Sequence, residues 1–116
     1  MPHFIIDCCE SALKFHDEEV ILEHIHRLAH STGLFDEGDI KVRINPFKTY
    51  SVGNKRESFI HVFAHIMQGR TTEQKANLSE QIVTKLVDMF PVIPNIAMNI
   101  SDFERATYCN RAMLQT

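Results

Sequence analysis

The stretch ESFIHVFAHIM, residues 57–67, leaves little choice about what surrounds it. On an extended chain Ile60, Val62, Ala64 and Ile66 project to one side, and Phe59, His61, Phe63, His65 and Met67 to the other. Both faces carry apolar bulk, so both need at least partial cover, and the segment reads as a central strand of a sheet. HFIIDC, residues 3–8, alternates in the same way, with Phe4, Ile6 and Cys8 on one face and His3, Ile5 and Asp7 on the other. A helix should follow it. Asp17 can cap that helix, Glu18 and Glu19 suit its positive end, and Ile21, Ile25, Leu28 and Ala29 recur at helical spacing before Gly33 stops it.

A second strand is expected from about Asp39 to Tyr50, and SVGNK, with Gly53 and Asn54, predicts a turn joining it to the 57–67 strand as a hairpin. In GRTTEQK, Thr71 and Gln74 are spaced as a capping box, and Leu78, Ile82, Val83, Leu86 and Phe90 mark a long apolar stripe that FPVIP ends. A fourth strand from Asn95 to Ser101 puts Ile96, Met98 and Ile100 on one face, and a polar tail runs from Asp102. The order is β-α-β twice, an α+β pattern expected to form one domain over residues 1–116. Right-handed crossovers place both helices on the same side, giving a four-stranded sheet with two helices on one face. The other face is then left bare. Apolar side chains on that face predict self-association.

The charge balance, Lys+Arg 12 against Asp+Glu 15 for a net −3, supplies no basic field to follow a nucleic-acid backbone, so nucleic acid is not an expected partner. No apolar run approaches the roughly 20 residues of a membrane span, and the N-terminus lacks signal-peptide character. A cytoplasmic protein is expected, with no membrane partner. Cys8, Cys9 and Cys109 suggest neither a disulfide framework nor a zinc site, and read as small buried hydrophobes.

Four kinds of residue could carry chemistry. His26 and His30 stand four apart on the first helix and His61 and His65 four apart on a strand, but no third ligand or HExxH motif accompanies them. They read as a half-exposed helix face and a subunit contact, and no metal is expected. Neither Cys8 nor Cys9 is tied by a motif to a histidine base, so no cysteine nucleophile is expected. Lys41 and Arg43, two apart on a strand, share a face, and Arg70 sits where the third strand gives way to the second helix. Free N–H groups and the helix dipole favour a carboxylate at that junction, and arginine adds a planar bidentate donor. The alternative for all three cations is an ordinary solvated side chain. Pro2 has two readings as well: the start of an edge strand, which proline tolerates, or a terminal secondary amine able to act as a base once Met1 is trimmed.

Together the opening MPHFIIDC, TGLF at the end of the first helix, IKVRI on the second strand, GRTTEQK, and the closing SDFERATYCNRAM resemble the 5-carboxymethyl-2-hydroxymuconate isomerases of the tautomerase superfamily. The likeness spans nearly the whole chain. It implies a homotrimer with inward-facing sheets, a small anionic unsaturated carboxylate as substrate, no cofactor, and Pro2 as the catalytic acid/base. By the same resemblance Arg70 grips a substrate carboxylate or polarises an enolate, and Arg43 and Lys41 are substrate-binding. Lys41 departs from the family pattern, which suggests a second arginine there, and offers a point charge instead of a fork. The implied reaction moves a proton on an unsaturated 2-hydroxy or 2-oxo di- or tricarboxylate, as in the breakdown of aromatic acids. The competing reading is a catalytically idle member of the fold that binds small ligands or assembles oligomers.

Overall fold

A computed structural model describes residues 1–115. The chain runs β1 (His3–Cys9), α1 (Glu18–Ser31), β2 (Lys41–Phe47), β3 (Phe59–Met67), α2 (Thr72–Met89) and β4 (Asn95–Phe103), with 3-10 turns at Glu10–Lys14, Glu37–Asp39, Arg105–Thr107 and Arg111–Leu114. The four strands form one mixed sheet in the order β2-β1-β3-β4. β1 pairs parallel with β2, β3 parallel with β4, and β1 antiparallel with β3. Each β-α-β unit is therefore a parallel pair, and the two units join through their first strands.

That order corrects the expected hairpin. The turn itself is present: Gly53 and Asn54 both have positive φ, and Val52 and Lys55 bridge across them. Yet β2 never reaches β3, because β1 lies between them. β2 carries Pro46, which has no N–H for a ladder, and it alternates polar Lys41, Arg43 and Asn45 with its partly buried residues, so it suits an edge. β1 and β3, apolar on both faces, take the centre. For the same reason Pro2 does not start an edge strand; it precedes an interior one, and its carbonyl accepts from Lys41 N at 3.1 Å.

The helices cover one face. Phe4, Ile6, Cys8, Ile60, Val62, Ala64 and Ile66 from the sheet form a single buried core with Ile21, Ile25 and Ala29 of α1 and Leu78, Ile82 and Leu86 of α2. At roughly 1.5–3 kcal/mol for each fully buried large aliphatic side chain, this layer is the main source of stability within the chain. Thr71 and Gln74 complete the reciprocal capping box at the start of α2, with Gln74 N donating to Thr71 Oγ1 at 3.1 Å and Thr71 N to Gln74 Oε1 at 2.9 Å. Asp17 takes the N-cap position of α1 without a side-chain cap bond. On the opposite face His3, Ile5, Asp7, Phe59, His61 and Phe63 stay half-buried and His65 is exposed. Cys8 and Cys9 are buried as expected, whereas Cys109 is exposed because it falls in the C-terminal segment outside the core. Among the described residues no helix is long and apolar enough to cross a membrane.

Candidate active site

The topology gathers residues that are far apart in sequence. Antiparallel pairing sets His3 opposite His65, so the chain start lies beside the end of β3 and the residues just after it. Parallel pairing sets His3 opposite Lys41, and the parallel β3/β4 ladder ends with Met67 opposite Phe103. One end of the sheet thus collects Met1 and Pro2, Lys41, Arg70 and the segment following Phe103. Pro2 is fully buried there.

Arg70 is half-buried and partly engaged. Its Nη2 donates to the Leu34 carbonyl at 2.5 Å, its Nη1 reaches the Met67 carbonyl at 3.5 Å, and its guanidinium lies 5.1 Å from the centre of the Phe35 ring. These contacts latch the loop after α1 onto the end of β3 and fix the direction of the charge. Two of five N–H groups are used, which leaves the rest for an anion. Lys41 Nζ donates to the Asp39 carbonyl at 3.3 Å and also touches Met1 Sδ.

Arg43 lies on the open sheet face, away from the helices. Its Nη1 donates to His3 Nδ1 at 3.1 Å. Because arginine has no acceptor, Nδ1 must offer its lone pair, and the ring proton sits on Nε2. Burial, then the charges of Arg43 and Lys41, lower the His3 pKa from its ordinary value, so the ring is neutral near pH 7. His3, Arg43, His65, Phe103 and Tyr108 line a shallow pocket of about 340 Å³, with the Phe103 and Tyr108 rings stacked 5.5 Å apart.

The electrostatics of the chain end follow from this crowding. The terminal amine of Met1 has its pKa lowered from the usual 8.0, chiefly by burial; Asp39 opposes that shift, and Arg70, Lys41 and Arg105 reinforce it. With Met1 attached the nitrogen of Pro2 is a tertiary amide with no basicity. Its surroundings are nonetheless those that hold an amine neutral: an apolar burial site ringed by positive charge.

Arg105 belongs to this group although no sequence reasoning singled it out. Its Nη2 lies 4.0 Å from the point where a Cβ would stand on Gly69, the residue before Arg70. Its backbone N–H donates to Gln68 Oε1 at 2.8 Å. Nothing in the spacing of SDFERATYC connects it to Pro2, since the proximity depends on β4 pairing with β3.

The other candidates lie elsewhere. His26 Nε2 hydrogen-bonds Glu37 Oε2 at 3.0 Å on the outer surface of α1, and His61 bonds Asn99 Oδ1 at 2.6 Å across the open sheet face. Among the described residues no three His, Cys, Asp or Glu side chains gather as a metal site. Burial pushes the Cys8 thiol up to about 12, which removes it as a nucleophile at neutral pH.

Solved structures share this architecture. A 5-carboxymethyl-2-hydroxymuconate isomerase from Deinococcus radiodurans R1 superposes with a TM-score of 0.82 at 20% identity, covering 99% of this chain and 95% of that one. N1, a member of the cis-3-chloroacrylic acid dehalogenase family, gives 0.75 at 17% identity over 94% of this chain and 80% of its own. A fused 4-OT asymmetric trimer gives 0.78 at 11% identity, covering 98% and 99%. No curated protein matches the sequence. The fold is that of the tautomerases, with a cation-ringed chain start at one end of the sheet. Residues 2–110 match the model of the 5-carboxymethyl-2-hydroxymuconate isomerase family, and the chain belongs to that family. It is accordingly an isomerase of the tautomerase type.

Proposed function

We propose that the chain, once Met1 is removed, works as a homotrimer that isomerises an unsaturated 2-hydroxy or 2-oxo di- or tricarboxylate of the 5-carboxymethyl-2-hydroxymuconate kind, in the breakdown of aromatic acids. The secondary amine of Pro2 takes the proton from the dienol hydroxyl while electrons shift through the conjugated system. The resulting prolinium returns a proton at carbon, so the carbonyl forms and the double bond moves with no net loss of protons. Arg70 holds the carboxylate or the developing enolate, and Lys41 and Arg43 supply further positive charge to an anionic substrate. The observation that carries this reading is the convergence of Pro2, Arg70 and Lys41 on one end of the sheet, brought there by three different strands.

The trimer is supported by the half-exposed apolar residues of the open face and by the trimeric state of the fused 4-OT relative. An idle ligand-binding or assembly module is the competing reading. It draws on the Arg70 bonds to Leu34 and Met67, which already occupy part of the guanidinium.

Kinetics on methionine-free protein decide between them. The base must be neutral, and the burial and neighbouring cations that lower the Met1 amine lie beside Pro2 as well, so the rate should rise with pH through one ionisation and then level off. Arg70→Ala should lose about 2–5 kcal/mol in kcat/KM, the range for stranding an opposite charge, while circular dichroism shows the fold intact. A flat pH profile together with an unaffected Arg70→Ala would favour the idle module.

A further inference from the structure

The end of the sheet farthest from Pro2 holds a second group of cations. β1 runs from His3 to Cys9, and its rise of about 3.3 Å per residue puts its two ends roughly 20 Å apart. At the Cys9 end the ladder with β2 closes on Phe47, and β3 begins at Phe59. The 3-10 turn Glu10–Lys14 and the loop between β2 and β3 meet there around a pocket of about 210 Å³. Lys14, Lys48 and Arg56 line it together with the rings of Phe47 and Tyr50, and Glu10 is the acidic member of the lining. Among the described residues none of these three cations is in an ion pair.

The loop that carries Lys48, Tyr50 and Arg56 is braced. Val52 and Lys55 exchange backbone hydrogen bonds of 2.7 and 3.0 Å around Gly53 and Asn54, and Arg56 Nη2 donates to the Lys48 carbonyl. The Arg56 guanidinium lies 5.3 Å from the centre of the Tyr50 ring. Tyr50 packs edge-on to Phe59 at 5.2 Å, and Phe47 lies 6.5 Å from the same ring. The aromatic side of the pocket is therefore backed by the sheet, and its charges are set in place before any ligand arrives. The volume falls below the roughly 300–1,000 Å³ of sites for drug-sized molecules, so the occupant is small. Three cations against one carboxylate favour an anion, and exposed ring faces favour a flat apolar body over a compact ion such as phosphate. From this arrangement we infer that the pocket is a second binding site, separate from the Pro2 end, for a small aromatic carboxylate. The ring packs on Phe47 and Tyr50, and the carboxylate meets Arg56 and the two lysines. Among the described residues only the Lys48 carbonyl uses an N–H of Arg56, so the remaining donors serve the ligand.

Binding is read without turnover, so the outcome does not depend on whether Pro2 is the base. The test is titration of the nitrogen-15-labelled full chain with benzoate, followed through backbone amide chemical shifts. The shifts should saturate at millimolar benzoate and be largest at Ser11, Lys48, Tyr50 and Arg56. Cyclohexanecarboxylate, which has the same charge and no aromatic face, should bind at least threefold more weakly, and inorganic phosphate should also bind more weakly than benzoate. Read at these amides, Arg56→Gln should weaken benzoate at least fivefold, Glu10→Gln should tighten it, and Arg70→Ala at the other end of the sheet should leave it within twofold. Arg56 and Glu10 are exposed, so their variants should keep the wild-type circular dichroism. Shifts confined to the Pro2 end, shifts that never saturate, phosphate binding as tightly as benzoate, or an unchanged affinity in Arg56→Gln would overturn the assignment.

Discussion

The two faces of the sheet are built from the same strands and have opposite characters. Toward the helices, Phe4, Ile6, Val62, Ala64 and Ile66 are sealed, and the cover comes from α1 and α2 of the same chain. Away from them, Ile5 and Phe63 are half-buried among His3, Asp7, His61 and Asn99, with side-chain pairs such as Asn45 to Asp7 and His61 to Asn99 crossing between strands. The first face is a finished core. The second mixes apolar bulk with satisfied polar groups, a composition that tolerates water in a lone chain and still offers area to other copies. Stability therefore belongs to one face and the proposed assembly to the other, and the candidate site sits at the end of the sheet where both are anchored.

Substitutions on neighbouring residues of β3 can break that division. Val62→Asp places a charge in the sealed layer with no partner, at a cost of several kcal/mol, and should leave the chain unfolded or aggregated by circular dichroism. Phe63→Asp, one residue further on, points to the open face; the chain should keep its secondary structure while light scattering shows loss of the proposed trimer. A folded Val62→Asp or an unfolded Phe63→Asp would mean that the faces do not divide the work in this way. Thr71→Ala makes the smallest change. It removes the cap on α2 and should cost about 1 kcal/mol in denaturant titration while the assembly state is unchanged, because α2 covers only the sealed face.

Much of this was legible in the sequence because it is local. Alternation assigned the two faces of β1 and β3 correctly, Thr71 and Gln74 announced their capping box, and the order of elements implied two crossovers on one side. What failed was a choice between partners. Gly53 and Asn54 make a real turn, but a turn fixes only the chain direction, and the parallel crossover through α1 had already placed β2 beside β1. Pro46 and the polar face of β2 were the signal for an edge strand. Motifs singled out Pro2 and Arg70, which the fold brings to one end of the sheet, whereas no motif marked Arg105. That residue joins the group only through the pairing of β4 with β3, which no spacing along the chain encodes.

The central claim, that the buried Pro2 becomes the base when Met1 leaves, is tested most directly by comparing two preparations of the same sequence. Intact mass distinguishes protein that has lost Met1 from protein that retains it, and both can be assayed side by side with 2-hydroxymuconate. The methionine-free form should be active, and the form retaining Met1 slower by at least about a hundredfold, since general base catalysis contributes some 10²–10⁴-fold and Met1 also occupies the space beside Lys41. Equal activity in the two preparations would contradict the account, because an amide nitrogen cannot accept the proton.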